Sequence, residues 1–249
     1  MSSRLADTGI AIFVKTPGIS PLKTRLAATQ GVDYAEHWYR LAAAAVSEVA
    51  QRSGAEVYWA VAEPEAMNAG LWQDLPRLCQ VLSPNRTDFT PANTSLGARM
   101  HCVQQQLLAR HHAAILLGAD TPHLDVRVLL GVIDYLRKTT PSWAVAPALD
   151  GGFWLHGSNR SAPLSAWEAV RYSSADTLAQ FELAMANQGN FARFQTETDV
   201  DSAADLAACA SALSQLPQAT NKQRALLQWM RAQGGSEDGP TLENPEINR

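Results

Sequence analysis

Residues 113–124, which read AAILLGADTPHL, constrain the fold more than any other stretch of the chain. Five apolar residues, Ala113 to Leu117, run without a polar break, the mark of a strand covered on both faces as in a parallel sheet. Gly118 ends the run and Thr121-Pro122 turns the chain. From Asp125 a helical pattern begins, with Val126, Leu129, Leu130 and Ile133 on one face. Asp120 therefore leaves the C-terminal end of a central strand, where open α/β sheets bind their ligands. It is a candidate functional residue, and a metal ligand in particular. A turn or cap aspartate is the competing reading, and for Asp120 taken alone it is ahead.

The rest of the chain alternates in the same way. Strands are expected at residues 9–14, 56–61, 78–82, 142–147, 153–156 and 190–195. Helices are expected from Lys23, at 34–52, 64–75, 96–110, from Asp125, and at 173–187, 202–213 and 223–233. Ser174 is read as opening the 173–187 helix, and Ser202 with Asp205 as a weak capping box. Such alternation predicts a mostly parallel, doubly wound sheet flanked by helices. One domain over residues 1–233 and a flexible tail over 234–249 are expected, because the tail has little apolar content.

Charge and cysteine usage exclude several classes. The formal net charge of -4 directs the chain away from nucleic acid and acidic membrane surfaces. Cys79, Cys102 and Cys209 lie far apart with no C-x-x-C, which fits a reducing cytosol and no zinc site. No stretch has the length of a membrane span, and the N-terminus lacks an apolar signal core. A cytoplasmic location is the expectation.

Three further groups of residues carry possible chemistry. Lys15, Lys23 and Arg25 bracket a loop of prolines and a glycine and would suit a phosphate chain, with a solvated basic loop an equal reading from charge alone. Neither a Walker loop nor a G-x-G-x-x-G fingerprint is present, which disfavours an oxidoreductase on a Rossmann-type sheet. Asp150-Gly151-Gly152 permits close approach of a ligand to the backbone, but a tight hairpin turn is the stronger local reading. Asp199-Val200-Asp201 offers two more carboxylates, with helix capping as the alternative. Their side chains are expected to diverge, reaching one site only if the backbone turns. The six histidines form no recognisable catalytic set, and His123, close to Asp120, is read as a surface residue.

Taken in order, these segments resemble a known group. Lys15-Thr16-Pro17 and Lys23-Thr24-Arg25-Leu26 are followed by Leu96-Gly97-Ala98-Arg99-Met100 and Gly118-Ala119-Asp120-Thr121-Pro122-His123-Leu124. DGGFWLHG follows at residues 150–157 and DVDSAADL at 199–206. The set is similar to that of the bacterial glycosyltransferase A-like (GT-A) family, within the nucleotide-diphospho-sugar transferase superfamily, whose relatives include molybdopterin and phospholactate guanylyltransferases. Ser20, Ser95, Tyr172-Ser173-Ser174 and Ser202 depart from the family pattern.

The resemblance implies a GT-A fold, a nucleotide or nucleotide-sugar donor, a small-molecule acceptor and a divalent metal, Mg²⁺ or Mn²⁺. It implies that Asp120, Asp199 and Asp201 hold the metal, with Asp199 and Asp201 not distinguished. Lys15, Lys23 and Arg25 would neutralise the donor phosphates, and Arg99 would support the nucleotide pocket. Asp150, Gly151 and Gly152 would line the acceptor side, and Asp120 and Lys23 would be the catalytic pair. Glycosyl transfer is the expected reaction, with nucleotidyl transfer releasing pyrophosphate as the alternative. A non-catalytic nucleotide-binding module is the reading from another class.

Overall fold

The computed structural model of the chain describes residues 7–68, 70–80 and 95–234. Among these residues seven strands form one sheet: β1 Thr8–Val14, β2 Glu56–Val61, β3 Arg77–Cys79, β4 Ala113–Gly118, β5 Ser142–Pro147, β6 Phe153–Ser158 and β7 Asn190–Arg193. Their order is β3-β2-β1-β4-β6-β5-β7. β1 pairs in parallel with β2 and β4, β2 with β3, and β5 with β7. β6 alone runs the other way, antiparallel to both β4 and β5. Two reversals cancel, so β5 and β7 point the same way as β4. The C-terminal ends of β1, β4, β5 and β7 therefore share one edge of the sheet with the start of β6.

Unbroken apolar runs produced these strands because both faces are covered. Along β1, Ile10 and Ile12 enter one buried cluster and Ala11 the other; along β4, Ile115 and Leu117 enter the first, Ala114 and Leu116 the second. Among the described residues eight helices cover the faces: α1 Thr24–Gln30, α2 Val32–Arg52, α3 Leu96–Leu108, α4 Val126–Leu136, α5 Leu164–Glu168, α6 Thr177–Met185, α7 Ala203–Gln215 and α8 Asn221–Gly234. α2 lays Trp38, Ala42, Val46 and Val49 on the first cluster, where its alanine block lets the helix approach closely. Trp143, Trp167 and Phe181 dominate the second. None of the helices among the described residues is long and apolar enough to cross a membrane.

Several boundaries differ from expectation. The helix expected over residues 64–75 is two short 3-10 turns, Pro64–Asn68 and Gly70–Trp72. The chain there is held by side chains: the Trp59 indole donates to Asp74 Oδ1 at 2.8 Å and the Trp72 indole to Thr16 Oγ1 at 3.1 Å. The helix expected from residue 173 starts at Thr177, because Ser173 adopts a left-handed backbone with φ 61°. The short α5 was not anticipated. Part of the expected third strand, the loop at 83–94 and the tail beyond Gly234 lie outside the described residues.

Candidate active site

The shared sheet edge brings the sequence candidates together. Asp120 follows β4 by two residues and is reached by its own local turn. Gly118 makes room for it: a Cβ at that position would lie 2.6 Å from Asp120 Oδ1. Val200 N donates to the Asp120 carbonyl at 3.1 Å, which joins the Asp199–Asp201 segment to the end of β4. One carboxylate oxygen from each of Asp120, Asp199 and Asp201 lies within 4.8 Å of the others.

The divergence expected of Asp199 and Asp201 is overturned. Alternation along an extended chain sends adjacent residues to opposite sides and leaves residues two apart on one side. Val200, between them, is fully buried in the first core cluster, and both carboxylates are left at the surface of the site. Asp205 on α7 fixes the segment further, its Oδ2 accepting from Asp201 N at 3.1 Å and Ser202 N at 2.8 Å. That is the acidic half of the capping box anticipated at Ser202.

Lys23 closes the group from the opposite side. Its Nζ lies 2.7 Å from Asp120 Oδ2 and 2.8 Å from Asp201 Oδ1, with the lysine side chain only 6% exposed. Burial works against the ammonium, but Asp120 and Asp201 outweigh it and hold its pKa above the ordinary lysine value. Lys23 precedes α1 in a left-handed conformation, φ 44° and ψ 44°. Arg25 is exposed and reaches Asp201 Oδ2 at 3.0 Å. Among the described residues no lysine or arginine is paired with Asp199: burial first, then the charges of Asp120, Asp150 and Asp201, push its pKa up to about 6.

Two spaces meet at Asp120. The larger, about 590 Å³, is lined by Lys15, Lys23, Arg25 and Arg99 as well as Asp120 and Asp201. Lys15 Nζ turns toward the Pro21 carbonyl at 3.4 Å, while its backbone N–H donates to the buried Tyr39 hydroxyl at 3.1 Å. Arg99 donates from Nη1 to Gln80 Oε1 at 3.1 Å, and burial lowers its pKa against the opposing pull of Glu63. The smaller space, about 250 Å³, is lined by Asp120, Asp150, Gly152 and Asp199 with several rings.

Asp150 and its glycines are both a hairpin and a wall. Ala148 N donates to Gly152 O at 3.0 Å, and Gly152 N to Asp150 Oδ1 at 2.8 Å, so the turn joins β5 to β6. Gly151 faces away from the cavity. Its carbonyl accepts from Leu178 N at 2.9 Å, and at φ 91° a Cβ there would meet the Ala175 carbonyl at 2.0 Å.

His123 corrects another expectation. It is buried, not on the surface, and its Nε2 lies 3.2 Å from Glu197 Oε2. Three residues at or near the larger cleft, Tyr39, Glu63 and Gln80, carry no signal in the sequence motifs, and Thr16 enters only as part of one. Glu63 Oε2 accepts from Thr16 N at 3.0 Å and Thr16 Oγ1 at 2.8 Å, which anchors the basic loop. Gln80 Nε2 donates to the Ala60 carbonyl at 2.8 Å while its oxygen receives Arg99. The rule that singles out Asp120, a polar residue just past a buried strand, applies equally to Glu63 after β2 and Gln80 after β3.

The fold is similar to that of a protein from Desulfovibrio desulfuricans G20 described as a "putative nucleotide-diphospho-sugar transferase", at 22% identity, with 91% of this chain and 96% of that one covered and a TM-score of 0.76. It is similar to 4-diphosphocytidyl-2C-methyl-D-erythritol synthase from Anaerococcus prevotii DSM 20548 at 11% identity, 84% and 99% coverage and a TM-score of 0.52. It is also similar to CMP:2-keto-3-deoxy-manno-octonic acid synthetase complexed with CTP, at 14% identity, 84% and 99% coverage and a TM-score of 0.51. At these identities the likeness is one of fold, and it is the nucleotide-diphospho-sugar transferase fold that the sequence motifs led one to expect. No curated protein matches the chain. A family model covering residues 45–174, more than half of the length, does match, and the chain belongs to that family, described as an uncharacterized protein conserved in bacteria (DUF2064).

Proposed function

We propose that the chain is a metal-dependent transferase that takes a nucleotide-activated donor, and that its reaction is glycosyl transfer from a nucleotide sugar to a small-molecule acceptor. The observation that carries this reading is the convergence of Asp120, Asp199, Asp201 and Lys23 where a cationic cleft meets an acidic cavity. The cleft suits the donor: Lys15, Lys23, Arg25 and Arg99 line it, and its volume admits a nucleoside diphosphate. The cavity on the far side of Asp120 suits the acceptor.

The acidic group fits a divalent ion. Three hard carboxylate oxygens within 4.8 Å of one another suit Mg²⁺ or Mn²⁺. The raised pKa of Asp199 comes first from burial and then from repulsion by Asp120, Asp150 and Asp201, and a dication would relieve the second of these. Once bound, the ion supplies Lewis-acid stabilisation of the charge that builds on the phosphate leaving group. Lys23 and Arg25 add preorganised positive charge beside it. Gly118 and the buried Val200 keep the carboxylates in place, so little reorganisation is needed during transfer.

A second reading is nucleotidyl transfer with release of pyrophosphate. The names of the two synthases of similar fold, one of them complexed with CTP, favour it. A thermal-shift screen of nucleotides and nucleotide sugars, with and without Mg²⁺ and Mn²⁺, tests the common part, because stabilisation requires binding to the native state. Stabilisation that needs both nucleotide and ion is expected; none with any pair would overturn the proposal. Product analysis separates the two reactions: a nucleoside diphosphate from a sugar donor, or pyrophosphate from a nucleoside triphosphate.

A further inference from the structure

The smaller cavity differs in chemistry from the cleft beside it. Its apolar walls include Phe153, Trp154, Tyr172 and Met100. The polar handles of two of these rings point elsewhere: the Trp154 indole donates to Gln195 O at 3.1 Å, and the Tyr172 hydroxyl to Trp167 O at 3.2 Å. Both rings therefore offer apolar surface and no hydrogen bond. The Thr177 hydroxyl, also in the lining, is turned to the Ser174 carbonyl at 2.7 Å.

Apart from Ser173, what remains to meet a ligand is acidic. Asp120, Asp150 and Asp199 line the space, and no lysine, arginine or histidine is among its described lining residues. Lys23 and Arg25 answer Asp120 and Asp201 from the cleft side, and a divalent ion would be held by Asp120, Asp199 and Asp201, which leaves Asp150 as the carboxylate of the lining outside that group. Carboxylates only accept hydrogen bonds. The cavity therefore asks for hydroxyl or ammonium donors and repels anions, the reverse of the cleft on the other side of Asp120. Its volume of about 250 Å³ equals roughly eight water molecules at ~30 Å³ each, enough for a monosaccharide-sized group.

We infer that this cavity selects a neutral or cationic hydroxyl compound with an apolar face, and turns away phosphorylated and carboxylated acceptors. Calling the ligand an acceptor rests on the transferase reading; the selectivity itself rests on the lining.

Three compounds of one skeleton test it: styrene glycol, neutral; phenylethanolamine, cationic at neutral pH; and mandelate, anionic. All carry a hydroxyl beside a phenyl ring. Saturation-transfer NMR on the full chain with Mg²⁺, with and without a nucleoside diphosphate, gives their relative affinities. Styrene glycol and phenylethanolamine are expected to bind, with mandelate at least about tenfold weaker, the scale of one unit-charge contact near a protein surface. Asp150→Asn keeps the acceptor oxygen that Gly152 N uses and removes one charge, so it should narrow the gap between phenylethanolamine and mandelate several-fold. Mandelate binding as tightly as styrene glycol, no binding by any of the three, or an unchanged gap in Asp150→Asn would overturn the inference. The predicted order of affinities in a chain with no affinity for any nucleotide would instead sink the transferase reading and leave the selectivity standing.

Discussion

Lys23 Nζ lies 2.7 Å from Asp120 Oδ2, a contact between residues 97 positions apart in the sequence. The same ammonium is 2.8 Å from Asp201 Oδ1. The left-handed backbone at Lys23 costs roughly 1–2 kcal/mol for a residue with a Cβ. The two charge-assisted contacts offset that strain. Lys23 is thus the resident cation of the acidic group, and under the proposed function a divalent ion entering the site would compete with it for the same oxygens.

Lys23→Met keeps the stem and removes the charge. In the metal-free state three carboxylates then face one another with one cation fewer, and the melting temperature should fall. Mn²⁺ affinity, read by calorimetry, should rise about tenfold, the scale of one unit-charge interaction near a protein surface. Turnover should fall by roughly 10²–10³, as when one preorganised donor is lost. Unchanged Mn²⁺ affinity would show that lysine and ion do not share oxygens.

Asp199→Asn should stabilise the metal-free protein and weaken cation binding together. The folded pKa of Asp199 is about 6, above the ordinary 3.8, so the folded state favours the protonated form. Its contribution is fully present below pH about 4 and is lost as pH rises through about 6. At pH 7.5 the charged carboxylate is therefore a liability that asparagine removes, by about 1 kcal/mol once partial exposure is discounted. Urea unfolding at that pH checks the sign; a destabilised variant contradicts it.

Much of this was legible in the sequence, and for a physical reason. β1, β2, β4 and β5 announce themselves as apolar runs, because strands covered on both faces need no alternation. The ends of such runs pointed to Asp120. The meeting of Lys23 with Asp120, or of His123 with Glu197, depends on sheet order and crossovers, which no local pattern encodes. Charge alone did not tell which carboxylate each cation would meet. Residues 64–75 look helical by composition, yet indole contacts to Asp74 and Thr16 hold that segment in short turns. Gln80 and Glu63 were within reach of the strand-end rule but carry no motif of their own.

His156 should make the fold acid-sensitive. Buried beside Trp143, Trp167 and Phe181, it is held neutral, its pKa pushed down to about 3 by burial against an ordinary 6.5. The unfolded chain binds the extra proton between those values. The stability it contributes is therefore complete above pH 6.5 and falls with acidification, by up to about 1.4 kcal/mol per pH unit. In His156→Gln that loss is absent, so the stability gap between wild type and variant should narrow from pH 7 to pH 5. A constant gap in denaturant titrations would contradict the assignment.

The most direct test of the site is a Mn²⁺ titration followed by electron paramagnetic resonance, comparing wild type with Asp120→Asn and Asp201→Asn, each shown by circular dichroism to be folded. Wild type should bind one ion per chain, and each variant should lose that binding or weaken it by at least about tenfold. Equal binding by all three proteins would mean that the carboxylates brought together at the end of β4 are not a metal centre.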